Sequence, residues 1–286
     1  MIVVCASCGI AGIDEIKLKE CSCDLVRYCS DECQRDHKSD HEEACKQRAA
    51  ELREELLFKQ PKSSHFNDCP ICCLPLPLDI KKSSMYTCCS KFICKGCAHA
   101  NRMRQVERRI QPACPFCREP IPTDEGRRRH LMKRVEANNP VALSHEGMLQ
   151  YSNGNYRNAF EYFTKASELG DAEAHFRLAS MYRLEHGVEE DIGKSMYHLE
   201  EAAIGGHPDA RYALGDEEHV NGNIARAVKH WIIASTLGQD DSIKELMDYF
   251  RKGFVSNKEL ASALRAHKAA VDATKSPQRE AVEECL

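Results

Sequence analysis

The sequence predicts two small metal-stabilised α+β fingers followed by an all-α solenoid of helix-turn-helix repeats. Three observations carry this expectation. Sixteen of the 17 cysteines in the 286-residue chain lie between Cys5 and Cys117. They fall as closely spaced pairs in two blocks, residues 1–47 and 65–122, each too short to bury a self-sufficient core. From residue 138 onward the texture changes to alanine-rich helical patterns that recur at a fixed register.

No run has the apolar core of a secretory signal, and none approaches the ~20 apolar residues of a membrane span. The chain is therefore expected in the cytoplasm, the nucleus or both. In a reducing compartment, paired cysteines mean zinc rather than disulfides. Cys285 stands second from the end, not fourth, so the prenylation pattern is absent.

The charge balance bears on partners. Residues 1–139 carry 24 Lys and Arg against 20 Asp and Glu, and residues 140–286 carry 16 against 24, which makes the formal net charge −4. Fifteen thiolates holding four zinc ions would turn the slightly basic first half slightly acidic. Loaded in this way, the chain has no net basic half, which argues against nucleic acid as the main partner.

The first block holds Cys5-x2-Cys8, Cys21-x-Cys23, Cys29-x3-Cys33 and His41-x3-Cys45, eight ligands and enough for two tetrahedral sites. His41 and Cys45 share one face of a helix, and Cys21 and Cys23 share one face of an extended segment. Each pair can grip a single ion. The pattern over residues 5–45, with "RYCSDECQ" and the eight-residue step from Cys33 to His41, resembles the MYND zinc finger. That resemblance implies interleaved sites: Cys5, Cys8, Cys29 and Cys33 on one zinc, and Cys21, Cys23, His41 and Cys45 on the other. It also implies a peptide-binding module, often for proline-containing segments. "RAAELREELLF" then reads as a helical linker over 48–64, ending at "KQPKSSH".

The second block reads "CPIC" at Cys69–Cys72, "TCCSKFICKGC" ending at Cys97, and "CPFCR" at Cys114–Arg118. Fifteen residues separate Cys72 from Cys88, and sixteen separate Cys97 from Cys114. These features resemble a RING finger. The resemblance puts Cys69, Cys72, Cys94 and Cys97 on one zinc, and Cys114 and Cys117 on the second with two ligands from the Cys88–Cys89 segment. Where most RING fingers have Cys-x-His, this chain has Cys89-Ser90-Lys91, and an ammonium is a poor ligand. Cys88 and Cys89 complete the set only through a tight bend, because adjacent side chains diverge in extended backbone. Cys73, His65 or His99 remain substitutes.

RING fingers perform no covalent step; they hold a charged ubiquitin-conjugating enzyme and its ubiquitin in a reactive pose. The resemblance implies enzyme contacts at Ile71, Pro115 and Phe116, and an enzyme–ubiquitin bridge at Arg118, whose planar guanidinium suits several carbonyls at once.

Residues 123–137, "TDEGRRRHLMKRVEA", read as a basic connecting helix with a solvated face. Over 138–276, "NNPVA", "GDAEA", "GHPDA" and "GQDDS" begin at Asn138, Gly170, Gly206 and Gly238, spaced by 32, 36 and 32 residues. Small residues recur at Ala174, Ala210 and Ser242 and at Ala166, Ala202 and Ala234, allowing close helix approach. Such a period stacks into an α-solenoid. "AEAHFRLASMYRLEHGVEEDIGKSMYHLEEAAIGGH" resembles a Sel-one-like repeat, a relative of the tetratricopeptide repeat. "NKELASALRAHKAAVDATK" is the expected terminal helix and 277–286 a tail.

No Ser/His/Asp arrangement, carboxylate pair or phosphate-binding glycine loop stands out. The resemblances together imply a RING-type ubiquitin ligase that binds substrates through its MYND finger and repeats. The alternative is a non-catalytic adaptor of the same architecture. Neither implies a membrane partner.

Overall fold

The computed structural model describes residues 5–7, 18–21, 26–28 and 30–283, which divide into two units, 1–59 and 60–286. In the first unit, β1 (Lys19–Glu20) pairs antiparallel with β2 (Arg27–Tyr28). Helix α1 (Asp31–Asp36) starts at Ser30, whose hydroxyl accepts the Cys33 N–H at 3.2 Å. Helix α2 (Lys38–Leu57) follows at once, so the helix expected after residue 47 is the second half of the one that carries His41 and Cys45. Beyond Cys45 it buries only Leu57. Ion pairs one turn apart, Glu42–Lys46 at 2.7 Å and Arg48–Glu51 at 3.0 Å, support its solvated stretch. The small core is Cys5, Cys21 and Tyr28.

The second unit begins with the other cysteine block. A 3-10 turn (Ile80–Lys82) leads into the hairpin β3 (Ser83–Tyr86) and β4 (Lys91–Cys94), in which Ser83 faces Cys94. Helix α3 (Lys95–Glu107) follows, with the Cys94 Sγ accepting the Cys97 N–H at its start. Three of the five residues in the buried cluster here are cysteines: Cys69, Cys94 and Cys97, with Leu76 and Ile93.

Helix α4 (Asp124–Glu136) connects to the solenoid, formed by α5 (Pro140–Ser152), α6 (Tyr156–Glu168), α7 (Ala172–Leu184), α8 (Ile192–Ile204), α9 (Pro208–Val220), α10 (Ile224–Thr236), α11 (Asp240–Arg251) and α12 (Asn257–Ala273). The repeat register has a local cause. Asn138, Gly170, Gly206 and Gly238 all have positive φ, ending one helix in the left-handed conformation. The next residues, Asn139, Asp171, His207 and Gln239, each cap the following helix by accepting the N–H three residues on. The six small positions picked out by the repeat are all fully buried. Two equivalent glycines admit an aromatic ring: a Cβ on Gly147 would lie 2.7 Å from Phe163, and one on Gly215 2.4 Å from Trp231.

Helix α12 packs on α10 and α11 and covers the open end of the stack. The segment expected as a tail instead forms α13 (Pro277–Glu283), which packs on α3 of the second finger and buries Arg279 and Val282. No helix among the described residues is long and apolar enough to cross a membrane.

Two solenoid histidines make the stack acid-labile. Burial, with Arg211, Arg226 and Lys229 nearby, pulls His230 down to about 3; burial, with His175 beside it, pulls His198 down to about 4. Between those values and the ordinary 6.5, the unfolded chain binds protons that the folded chain does not, so stability falls as pH falls from about 7 toward 4. Thermal unfolding of the solenoid signal is expected to shift down over that window, and His230→Gln should flatten the slope.

Candidate metal centres

The second finger brings together two four-sulfur clusters. Cys69, Cys72, Cys94 and Cys97 have their Sγ atoms within 4.8 Å of one another, and so do Cys88, Cys89, Cys114 and Cys117. Pairs one and three converge, as do pairs two and four, which is the cross-braced order of RING-type fingers.

Backbone turns position the sulfurs. In "CPIC", Cys69 N–H donates to Leu74 O and Cys73 N–H to Cys69 O, both at 2.8 Å, and Cys73 takes φ 54°. "CPFC" repeats the design: Cys114 N–H donates to Glu119 O at 2.8 Å, Arg118 N–H to Cys114 O at 3.0 Å, and Arg118 takes φ 61°. Each turn folds two cysteines three residues apart onto one point. The adjacent Cys88 and Cys89 converge because Cys89 and Ser90 N–H groups both donate to Tyr86 O, with Ser90 at φ 55°. Cys73, His65 and His99 stand outside this cluster.

The sulfur spacing fits zinc. At a Zn–S distance of ~2.3 Å, a tetrahedron has an edge of about 3.8 Å. Cys72–Cys94 is 3.9 Å and Cys89–Cys114 is 3.8 Å, with Cys88–Cys117 closer at 3.3 Å. All these cysteines are free of disulfides. Burial, reinforced by neighbouring sulfurs, pushes the Cys88 and Cys97 thiols well up. A divalent cation at the centre removes that penalty and favours thiolate. Cys72 differs: burial raises it, but the Leu74 backbone and the Arg279 guanidinium outweigh burial and bring it to about 7.

Arg279 comes from α13. Its guanidinium donates to Pro75 O at 2.8 Å, Leu74 O at 3.2 Å and Cys72 Sγ at 3.2 Å. Gln278 donates to Gly96 O at 3.3 Å. From α4, Arg134 donates twice to Cys88 O, at 3.0 and 2.9 Å. Each cluster is thus braced by an arginine of a distant helix. Neither contact is legible in the sequence, where both arginines belong to ordinary charged runs.

In the first finger, Cys21, His41 and Cys45 converge within 4.8 Å, with Cys21 and Cys45 Sγ 3.7 Å apart. Cys23, their expected companion, lies outside the described residues. So do Cys8 and Cys29, the companions of the buried Cys5 and half-buried Cys33. His37 meets the Tyr28 hydroxyl at 3.2 Å and stacks on His41.

A fourth convergence, His65, Glu173 and His207, was not foreseen. His207 Nδ1 accepts the Ala210 N–H, so its Nε2 carries the proton and donates to Glu173 at 3.2 Å. The His65 and His207 rings stack 4.1 Å apart at 8°. Rings stacked face to face direct their in-plane lone pairs side by side rather than at one point. These residues form a clasp between the finger and the solenoid, strengthened by His65 N–H donating to Gly206 O at 3.1 Å.

Ile71, at the tip of the first turn, is 43% exposed, and Arg118 is exposed on the second. Pro115 is half-buried. Phe116 packs against the finger core, with the Lys91 ammonium 4.7 Å above its ring.

This is the architecture of a zinc-finger and helical-repeat protein. Residues 5–45 match the MYND finger model, and residues 145–171, 172–207 and 208–239 match the Sel1 repeat model. Among curated proteins, ORF96 of Ostreid herpesvirus 1 (isolate France), named for a RING finger, is 35% identical over 65 residues. The match covers 22% of this chain, which spans about a quarter (27%) of that relative's length. Among solved structures, a Sel1 repeat protein from Oxalobacter formigenes is similar at TM-score 0.45 and 22% identity, over 61% of this chain and 53% of that one. A protective antigen of uropathogenic Escherichia coli strains with an SLR fold is similar at TM-score 0.40 and 22% identity, over 57% of this chain and 36% of that one.

Proposed function

We propose that this chain is a zinc-dependent ubiquitin ligase whose RING finger recruits a charged ubiquitin-conjugating enzyme. The MYND finger, over 1–47, and the repeats, over 138–276, select substrate proteins. Four zinc ions are bound, two per finger, by the sixteen ligands Cys5, Cys8, Cys29 and Cys33; Cys21, Cys23, His41 and Cys45; Cys69, Cys72, Cys94 and Cys97; and Cys88, Cys89, Cys114 and Cys117. The ions supply folding free energy, on the order of 10–16 kcal/mol each in small fingers, rather than chemistry.

The observation that carries the reading is the pair of matching turns that present Ile71 and Arg118 outward from two braced four-sulfur clusters. Ile71, Pro115 and the edge of Phe116 form the enzyme contact, and Arg118 bridges enzyme and ubiquitin. Their work is positional: a thioester held in one pose reacts faster with an incoming amine.

The test is ubiquitin discharge from a panel of charged conjugating enzymes. Protein containing four zinc ions by elemental analysis should accelerate discharge, and Ile71→Ala and Arg118→Ala should each lose about tenfold or more. A zinc-loaded protein that accelerates no enzyme in the panel sinks the ligase reading and leaves the adaptor. The cover over Phe116, by Lys91 and the finger core, is the observation that favours the adaptor.

A further inference from the structure

A cavity of about 320 Å³ lies between the second finger and the first solenoid repeat, lined among others by Phe66, Ser90, Phe92, Ser144, Asp171 and Glu173. Its contents of charge are lopsided. Asp68, Asp171 and Glu173 face it, against Lys91 and His65. The Lys91 ammonium is directed at the Phe116 ring, and Glu173 is already met by Arg177 at 2.6 Å and by His207. Among the described residues Asp171 makes no such ion pair, although the His65 ring lies close enough to favour its charged form. It accepts the Ala174 N–H at 2.8 Å, beside the Ser144 hydroxyl, and burial pushes its carboxyl up. Asp171 is half-buried and caps α7, and a cationic ligand would supply the charge partner that the cap does not.

The cavity also holds buried acceptors with nothing to accept from. Ser90 is 7% exposed, and its Oγ has no hydrogen-bond partner. The His65 side chain is 8% exposed. Neither ring nitrogen has a hydrogen-bond partner; Nε2 faces Glu173 at 3.5 Å, which favours the proton there and leaves Nδ1 as an acceptor. Phe66 and Phe92, with ring centroids 6.1 Å apart, provide two π faces. Acceptors, a lone carboxylate and aromatic faces form a receptor for N–H donors that carry positive charge.

We propose that this cavity binds an organic cation, an alkylammonium or guanidinium group on a short apolar stem. The group pairs with Asp171, donates to Ser90 Oγ and His65 Nδ1, and lays its stem against Phe66 and Phe92. The volume sits at the low end for ligand pockets and accommodates one amino-acid side chain or a small free amine. The site is independent of ubiquitin transfer, because it uses none of the residues assigned to the conjugating enzyme.

The experiment is calorimetric titration of the full zinc-loaded chain with n-butylguanidinium and its neutral isostere n-butylurea, alongside a blocked Gly-Arg-Gly peptide and its citrulline counterpart. The cation should bind at least tenfold tighter than the urea. Asp171→Asn keeps the helix cap, because asparagine caps as well as aspartate, and it should lose that preference while zinc content and helical signal stay unchanged. Ser90→Ala should weaken binding several-fold. Binding of the peptide tighter than the free cation identifies a partner's basic side chain as the source; exclusion of the peptide identifies a free small cation. Equal binding of urea and guanidinium, full binding by Asp171→Asn, or no binding by either source at millimolar concentration overturns the proposal.

Discussion

Stripping zinc with a strong chelator is expected to collapse the second finger and, with it, a helix far away in sequence, while the solenoid keeps its helices. The finger owns one short hairpin and one helix, and three of the five residues in its buried cluster are cysteines. Without an ion, four thiols at sulfur contact are a poor core, so the missing stability must come from metal. The solenoid has no cysteine over residues 138–276: one core is built on Leu143, Phe163, Leu178 and Met181, and another on Trp231, Leu246 and Tyr249. Helix α13 is different, because among the described residues the side chain of its anchor, Arg279, donates to Thr274 and to finger atoms. Hydrogen exchange on the chelated protein should show protection lost over residues 67–122 and 277–283 and kept in α5–α12. Protection kept in the finger after metal removal would refute a metal-dependent core. Loss throughout would mean the solenoid has no independent stability.

The second large effect is expected at Trp231. This side chain is 1% exposed, sits among Ala227, Val228, Leu246, Tyr249 and Ala263, and donates its indole N–H to Asp216 at 3.2 Å. Truncation to alanine removes the largest buried side chain of the solenoid and takes the donor from a carboxylate whose pKa burial already raises. The cost should be about 3–5 kcal/mol, with a melting temperature roughly 10 °C lower. Gly215→Ala acts on the same contact from the other side. Its methyl would overlap the indole ring of Trp231, which is 1% exposed, for a cost of about 1–3 kcal/mol. The methyl can occupy the space that the missing ring leaves, so the double variant should be less destabilised than the sum of the singles. Strict additivity in urea unfolding would show that the two residues do not share one packing site.

What the sequence disclosed depended on how far apart the interacting residues are. The cysteine pairs announce themselves because each pair lies within one turn, and the repeat register does so because a left-handed residue and a helix cap are adjacent in the chain. Those local signals supplied the fold class, both fingers and the buried small positions. Cys88 and Cys89 sat at the edge of legibility. Neighbours in an extended strand diverge, and the bend that reunites them depends on Ser90 entering the left-handed region, which serine does not advertise. Contacts between distant segments were invisible. Nothing in "SPQREAVE" marks Arg279 as a brace for Cys72, and His65, read as a substitute zinc ligand, instead meets Glu173 and His207. Charged and imidazole side chains serve equally well on a solvated face or in a buried clasp; only the fold decides which.

The backward reach of Arg279 has a consequence during synthesis. The residue is polymerised 207 positions after Cys72, which at ordinary translation rates is a delay of about 10–40 s. For much of that interval the first cysteine cluster is able to capture metal but lacks its arginine brace. The nascent finger therefore loads in a looser form than the finished one, and α13, made much later, sets the final grip. A bulky fusion placed directly after residue 283 would be felt at the other end of the unit, in the rigidity of the loop that carries Ile71.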